Sequence, residues 1–162
     1  MKNIFLLILT LGLSLDSLAQ VKNVYNFDQY LSSLSQIHKP ELQNVIEGSP
    51  TTLVIEEGMS DQVLYGDSSK LNIIDFGSIA AFNAKDMSVM SNYLAITSFI
   101  RINVKSNAEN LTNIINLSQF NNIKAIVLLL DTELSETDIK KLLTNLSVSP
   151  NTMVLYKVRI SS

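Results

Sequence analysis

Ala125-Ile126-Val127-Leu128-Leu129-Leu130 sets six apolar residues in a row, closed by Asp131. The run is shorter than an ordinary helix and lacks the polar alternation of a half-exposed strand. It predicts a strand covered on both faces, the situation of a parallel sheet between layers of helix. Three further β-type runs stand to either side: Leu71–Phe76, Phe99–Val104 and Met153–Val158. The centres of the four lie about 27 residues apart, room for one helix in each interval.

Helix signals fill those intervals. Asn83 with Asp86 precedes Met87, Met90 and Leu94, and Ser106 with Glu109 precedes Leu111, Ile114 and Ile115. Ser135 opens the clearest stripe, Ile139, Leu142, Leu143 and Leu146, with Glu136 and Asp138 in its first turn, where the helix dipole favours negative charge. Strands alternating with helices predict an α/β fold of right-handed crossovers and a mainly parallel sheet. Phe99–Val104 sets Arg101 and Asn103 between Ile100, Ile102 and Val104, which predicts one solvated face. The polar positions of Leu155–Ile160 read as an edge strand.

Upstream of this unit lies an N-terminal helical segment. Asn26 with Gln29 resembles a capping box ahead of Phe27, Tyr30, Leu31 and Leu34. Pro40 stops that helix or begins a second, whose buried face is Leu42, Val45 and Ile46. Thr51–Glu57, bounded by Pro50 and Gly58, reads as a strand; Gln62–Tyr65 is a small extra strand inside an otherwise irregular Gly58–Ser69 loop.

The first 19 residues read as a secretory signal peptide: Lys2, an apolar run from Ile4 to Leu15, then Ser17 and Ala19 ahead of a cut before Gln20. The run is short of the ~20 residues a membrane-spanning helix needs. The expectation is one α/β domain over 20–162, exported to the periplasm or the extracellular space and soluble after cleavage, with no membrane span left. The chain has no cysteine, which excludes disulfides, thiolate zinc sites, a cysteine nucleophile and a lipid-modified N-terminal cysteine. Its stability therefore rests on the core, for which 46% hydrophobic residues suffice. The net charge of −3 is unchanged by loss of Lys2 and Asp16, and gives no electrostatic drive toward nucleic acid or anionic lipid.

Two stretches carry a repeat-like spacing. Phe99-x-x-Ile102-x-Val104-x-x-Asn107 and Ile123-x-x-Ile126-x-Leu128-x-x-Asp131 resemble bacterial leucine-rich-repeat units over residues 99–131. That resemblance implies an alternative fold, a short solenoid presenting an open face of parallel strands to a ligand. Ile79 stands where the preceding unit would need its Asn, and the Met153–Val158 strand has no such Asn. The signal region is similar to those of exported Bacteroidota proteins, which often end in Ala-Gln.

Chemistry-bearing residues are sparse. His38 is the single histidine, so a zinc site with two imidazoles cannot form within one chain. Its place at a helix end suits capping of terminal carbonyls. No dinucleotide fingerprint, P-loop or nucleophile elbow occurs. Asp131, Glu133, Ser135 and Asp138 begin like a calcium loop, but Glu136 and Leu142 occupy the positions of its essential Gly and Glu. The candidate pocket is therefore Glu56, Asp75, Lys105 and Asp131, gathered at strand C-terminal ends, where open α/β sheets carry their ligand crevice. Carboxylates meeting there would support a small hydrolase or a cation-dependent enzyme. Tyr156, Lys157 and Arg159 form a candidate partner edge. The leading expectation is a non-catalytic domain without a cofactor or metal, acting by protein or surface interaction. Its partner would be another envelope or extracellular protein. A structural subunit of an envelope assembly is a third reading.

Overall fold

The computed structural model describes residues 23–46, 51–58, 63–67, 70–105, 111, 113 and 115–159. The signal-peptide reading of residues 1–19 lies outside these. In chain order the elements are β1 (Val24–Asn26), α1 (Phe27–Ser33), α2 (Lys39–Ile46), β2 (Thr52–Ile55), β3 (Val63–Tyr65), β4 (Ile73–Phe76), α3 (Ile79–Ala84), α4 (Ser91–Leu94), β5 (Phe99–Val104), β6 (Ile115–Asn116), β7 (Ala125–Leu130), α5 (Glu136–Leu142), β8 (Leu146–Ser147) and β9 (Met153–Val158).

Seven strands form one open sheet in the order β1-β9-β7-β5-β4-β2-β3, and β6 pairs with β8 in a separate two-residue ladder. Every pairing in the large sheet is parallel except β2 with β3. The α/β fold with a mainly parallel sheet is thus the fold of this chain. β7 is its centre, paired along all six residues with β5 on one side and β9 on the other. Its two faces enter two different cores, which is why no position in the strand tolerates a polar group. Ile126, Leu128 and Leu130 join Ile74, Phe76, Ile100 and Ile102 beneath α3, α4 and α5. Ala125, Val127 and Leu129 join Ile73, Phe99 and Leu155 beneath the α1–α2 hairpin, which contributes Phe27, Leu42 and Val45. The molecule is three layers, helix over sheet over helix.

Local capping explains where the helices begin. The Asn26 side chain accepts from the Asp28 and Gln29 backbone N–H groups at the start of α1. Ser135 accepts from the Asp138 N–H at α5. The strands expected over Thr51–Glu57 and Gln62–Tyr65 are present as β2 (Thr52–Ile55) and β3 (Val63–Tyr65), with Gln62 outside the described residues.

Several expectations need correction. The first crossover helix does not begin at Asn83. Ser78 caps α3 by accepting from the Ala81 N–H at 3.0 Å, and Asp86 instead closes a turn by accepting from Ser88. Ile115, assigned to a second crossover helix, lies in β6 opposite Leu146, so both residues leave their helical patterns for a ladder. The Ser106–Glu109 start lies outside the described residues. The Arg101 and Asn103 face of β5 is only partly solvated: Arg101 bonds the Val45 carbonyl at the end of α2, and Asn103 bonds Asp75 and the Phe76 carbonyl. Nor is β9 an edge: β1 runs alongside it with Val24 opposite Val154 and Asn26 opposite Tyr156. A three-residue strand has no periodicity to read, and its partner lies at the far end of the chain. Among the described residues no helix is long and apolar enough to cross a membrane.

Candidate functional sites

Register brings Asp75 and Arg101 side by side, since β4 and β5 pair with these residues opposite each other. Their carboxylate and guanidinium form an ion pair. Asn103, two residues along the same face of β5, donates from Nδ2 to Asp75 Oδ1 at 3.2 Å and to the Phe76 carbonyl at 2.9 Å. Arg101 Nη1 donates to the Val45 carbonyl at 2.8 Å, tying the sheet to the end of α2. Asp75 and Arg101 side chains are 14% and 17% exposed, so the cluster sits under the helical hairpin. Arg101 Nε and Asn103 Oδ1 are buried and make no hydrogen bond. Asp75 is therefore neutralised and held, which suits cross-layer anchoring better than proton transfer.

The other three residues of the expected pocket, Glu56, Lys105 and Asp131, are exposed. Glu56 follows β2 and lays its carboxylate over Gly77, where a Cβ would come within 2.1 Å of Oε2. Lys105 follows β5, and Asp131 follows β7 with its backbone N–H on the Val104 carbonyl at 3.0 Å. Among the described residues no three Asp, Glu or His side chains stand close enough to hold a metal ion. Of the expected partner edge, Tyr156 packs against the larger core. Lys157 donates to Asp28 of α1 at 2.7 Å and stands 5.2 Å from the centre of the Phe27 ring. Lys157 thus faces the helical hairpin and Tyr156 the opposite layer, so these two residues of β9 pack between layers rather than protect an edge.

A cavity of about 270 Å3 opens at the opposite, N-terminal ends of the strands, which sequence reasoning missed. Leu34 and Leu42 wall it from the hairpin, and Phe99, Ala125 and Met153 floor it from the first residues of β5, β7 and β9. Tyr30, His38, Glu41 and Lys124 form its rim. His38 thus lines a cavity mouth at the turn between α1 and α2, in addition to closing that turn through its backbone N–H on Ser35. Glu41 and Lys124 pair across the rim at 2.5 Å, each about half exposed. No local signal joins these positions, because they come from the turn region of the hairpin and the starts of three separate strands.

The true outer strand on the other side of the sheet is β3. Val63, Leu64 and Tyr65 are all exposed, at 43%, 37% and 60%. β3 is bonded to β2 on one side and is last in the sheet order. No protein family, curated protein or solved structure matches this chain.

Proposed function

We propose that this chain is an exported, non-catalytic α/β domain that works by binding another protein of the envelope or extracellular space. The observation that carries this reading is β3, a terminal strand built wholly of exposed apolar residues. Sheet edges are normally blunted by charge, proline or a covering element, because their free N–H and C=O groups recruit other strands. Val63-Leu64-Tyr65 has neither charge nor proline. An extended segment of a partner protein adds alongside such an edge, with main-chain hydrogen bonds supplying affinity and alternate side chains supplying selectivity. Hydrolytic or cation-dependent chemistry at Glu56, Asp75, Lys105 and Asp131 draws less support, since Asp75 is engaged by Arg101 and Asn103.

The test compares the protein with a Leu64→Lys variant for recovery of binding partners from an envelope extract, after both are shown to melt alike. Loss of a defined partner in the variant is the expected result. Equal recovery would count against strand addition at β3. Recovery of a second copy of the chain alone would move the reading to a self-assembling envelope subunit. Export is tested by mass spectrometry of the secreted or periplasmic protein, which should begin at Gln20.

A further inference from the structure

The cavity at the strand N-terminal ends is distinct from β3, from which β4 and β2 separate it in the sheet order. We infer that it is a binding site for a free apolar α-amino acid, with leucine as the type ligand. The size sets the first limit. At about 270 Å3 the cavity lies near the lower end of the range for small-molecule pockets, which suits a ligand of metabolite size. The lining sets the second. Leu34, Leu42, Phe99, Ala125 and Met153 offer no polar side chain, so whatever lies deep must be aliphatic or aromatic.

Charge at the mouth decides the class. Glu41 and Lys124 stand together there with opposite charges. A fatty carboxylate would have to draw Lys124 away and leave the Glu41 anion facing its own charge. An apolar amine would meet the converse penalty at Lys124. A zwitterion inserts between the two, ammonium toward Glu41 and carboxylate toward Lys124, and no charge loses its counter-ion. Opening the existing pair is cheap because both side chains are about half exposed and already solvated. The apolar side chain then extends from the zwitterionic head to the floor at Phe99 and Met153. Tyr30 and His38 also line the cavity and carry polar groups.

The experiment is isothermal titration of the protein with L-leucine, 4-methylpentanoate and 3-methylbutylamine, repeated on Glu41→Gln and Lys124→Gln. Both substitutions fall on exposed side chains, and circular dichroism melts establish that the variants fold. The methyl signal of Met153, followed by NMR, locates the binding. Expected are saturable leucine binding that shifts the Met153 methyl, about two- to fivefold weaker binding of each one-charge analogue, and a loss of about two- to fivefold in each variant, the size of one exposed ion pair. Absence of saturable leucine binding at millimolar concentration would overturn the assignment. So would unchanged affinity in both variants, or a Met153 signal that does not move. Equal binding of 4-methylpentanoate would replace the amino acid with a simple carboxylate and equally refute the inference. None of these outcomes depends on β3, so the Leu64→Lys result stands or falls separately.

Discussion

Arg101 on β5 and Asp75 on β4 face each other across a parallel ladder, and the same guanidinium reaches on to the Val45 carbonyl of α2. One side chain thus joins two strands and a helix across the boundary between layers. Removing it strands a largely buried carboxylate and a helix-end carbonyl. Arg101→Met should lower stability by about 3–5 kcal/mol, the range for breaking one half of a buried pair. The double variant Asp75→Leu, Arg101→Met should be more stable than Arg101→Met alone, because no uncompensated charge remains. Urea unfolding of the three proteins checks both statements. A double variant weaker than the single would show that the cluster contributes more than charge balance.

Gly66 and Gly77 should respond differently to the same change. At Gly66 φ is +91°, and an added Cβ would meet Thr51 Oγ1 at 2.7 Å and the Thr51 Cα at 3.3 Å. At Gly77 the three nearest atoms belong to the Glu56 carboxylate, the free end of a flexible exposed side chain. Gly66→Ala should cost about 1–3 kcal/mol, since both backbone conformation and packing oppose it. Gly77→Ala should cost well under that as Glu56 swings aside. Thermal unfolding of the pair decides the order.

Asp138 should titrate below the ordinary carboxyl value of 3.8, chiefly because the Ser135 hydroxyl donates to it and secondarily because Lys141 does. A lowered folded value means the charged form is favoured in the folded protein. Its contribution to stability is complete above 3.8 and fades as pH falls through the lowered value. Ser135→Ala should raise the Asp138 carboxyl toward 3.8 in an NMR titration. Asp86, lowered first by the Ser88 hydroxyl and then by the Ser88 backbone, should not move and serves as the internal control.

Ser78 caps α3 while itself 2% exposed, and its hydroxyl also donates to Glu57 at 3.3 Å. Ser78→Ala leaves the Ala81 N–H without its acceptor in a place water does not reach. The expected cost is about 1–2 kcal/mol, toward the upper end for N-caps. Asn26→Ala at the exposed start of α1 should cost less. Denaturant midpoints measured side by side test the ranking.

What the sequence determined by itself lies within a few residues of each decision. The apolar run of β7, the caps at Asn26 and Ser135, and the spacing of Ile139 and Leu142 act through neighbours along the chain. They specify the α/β alternation and the central strand. Tertiary structure alone decided the rest, because each remaining feature depends on which distant segment lies alongside. β1 is a strand only because β9 accepts it, and Ile115 leaves a helical pattern because Leu146 pairs with it. Arg101 looks like a solvated residue until α2 covers it. The cavity combines Leu34 and His38 with Phe99, Lys124 and Met153, residues with no shared period or motif. Hydrophobic periodicity reports how a segment meets its surroundings, while the identity of those surroundings is set by packing between elements far apart in the chain.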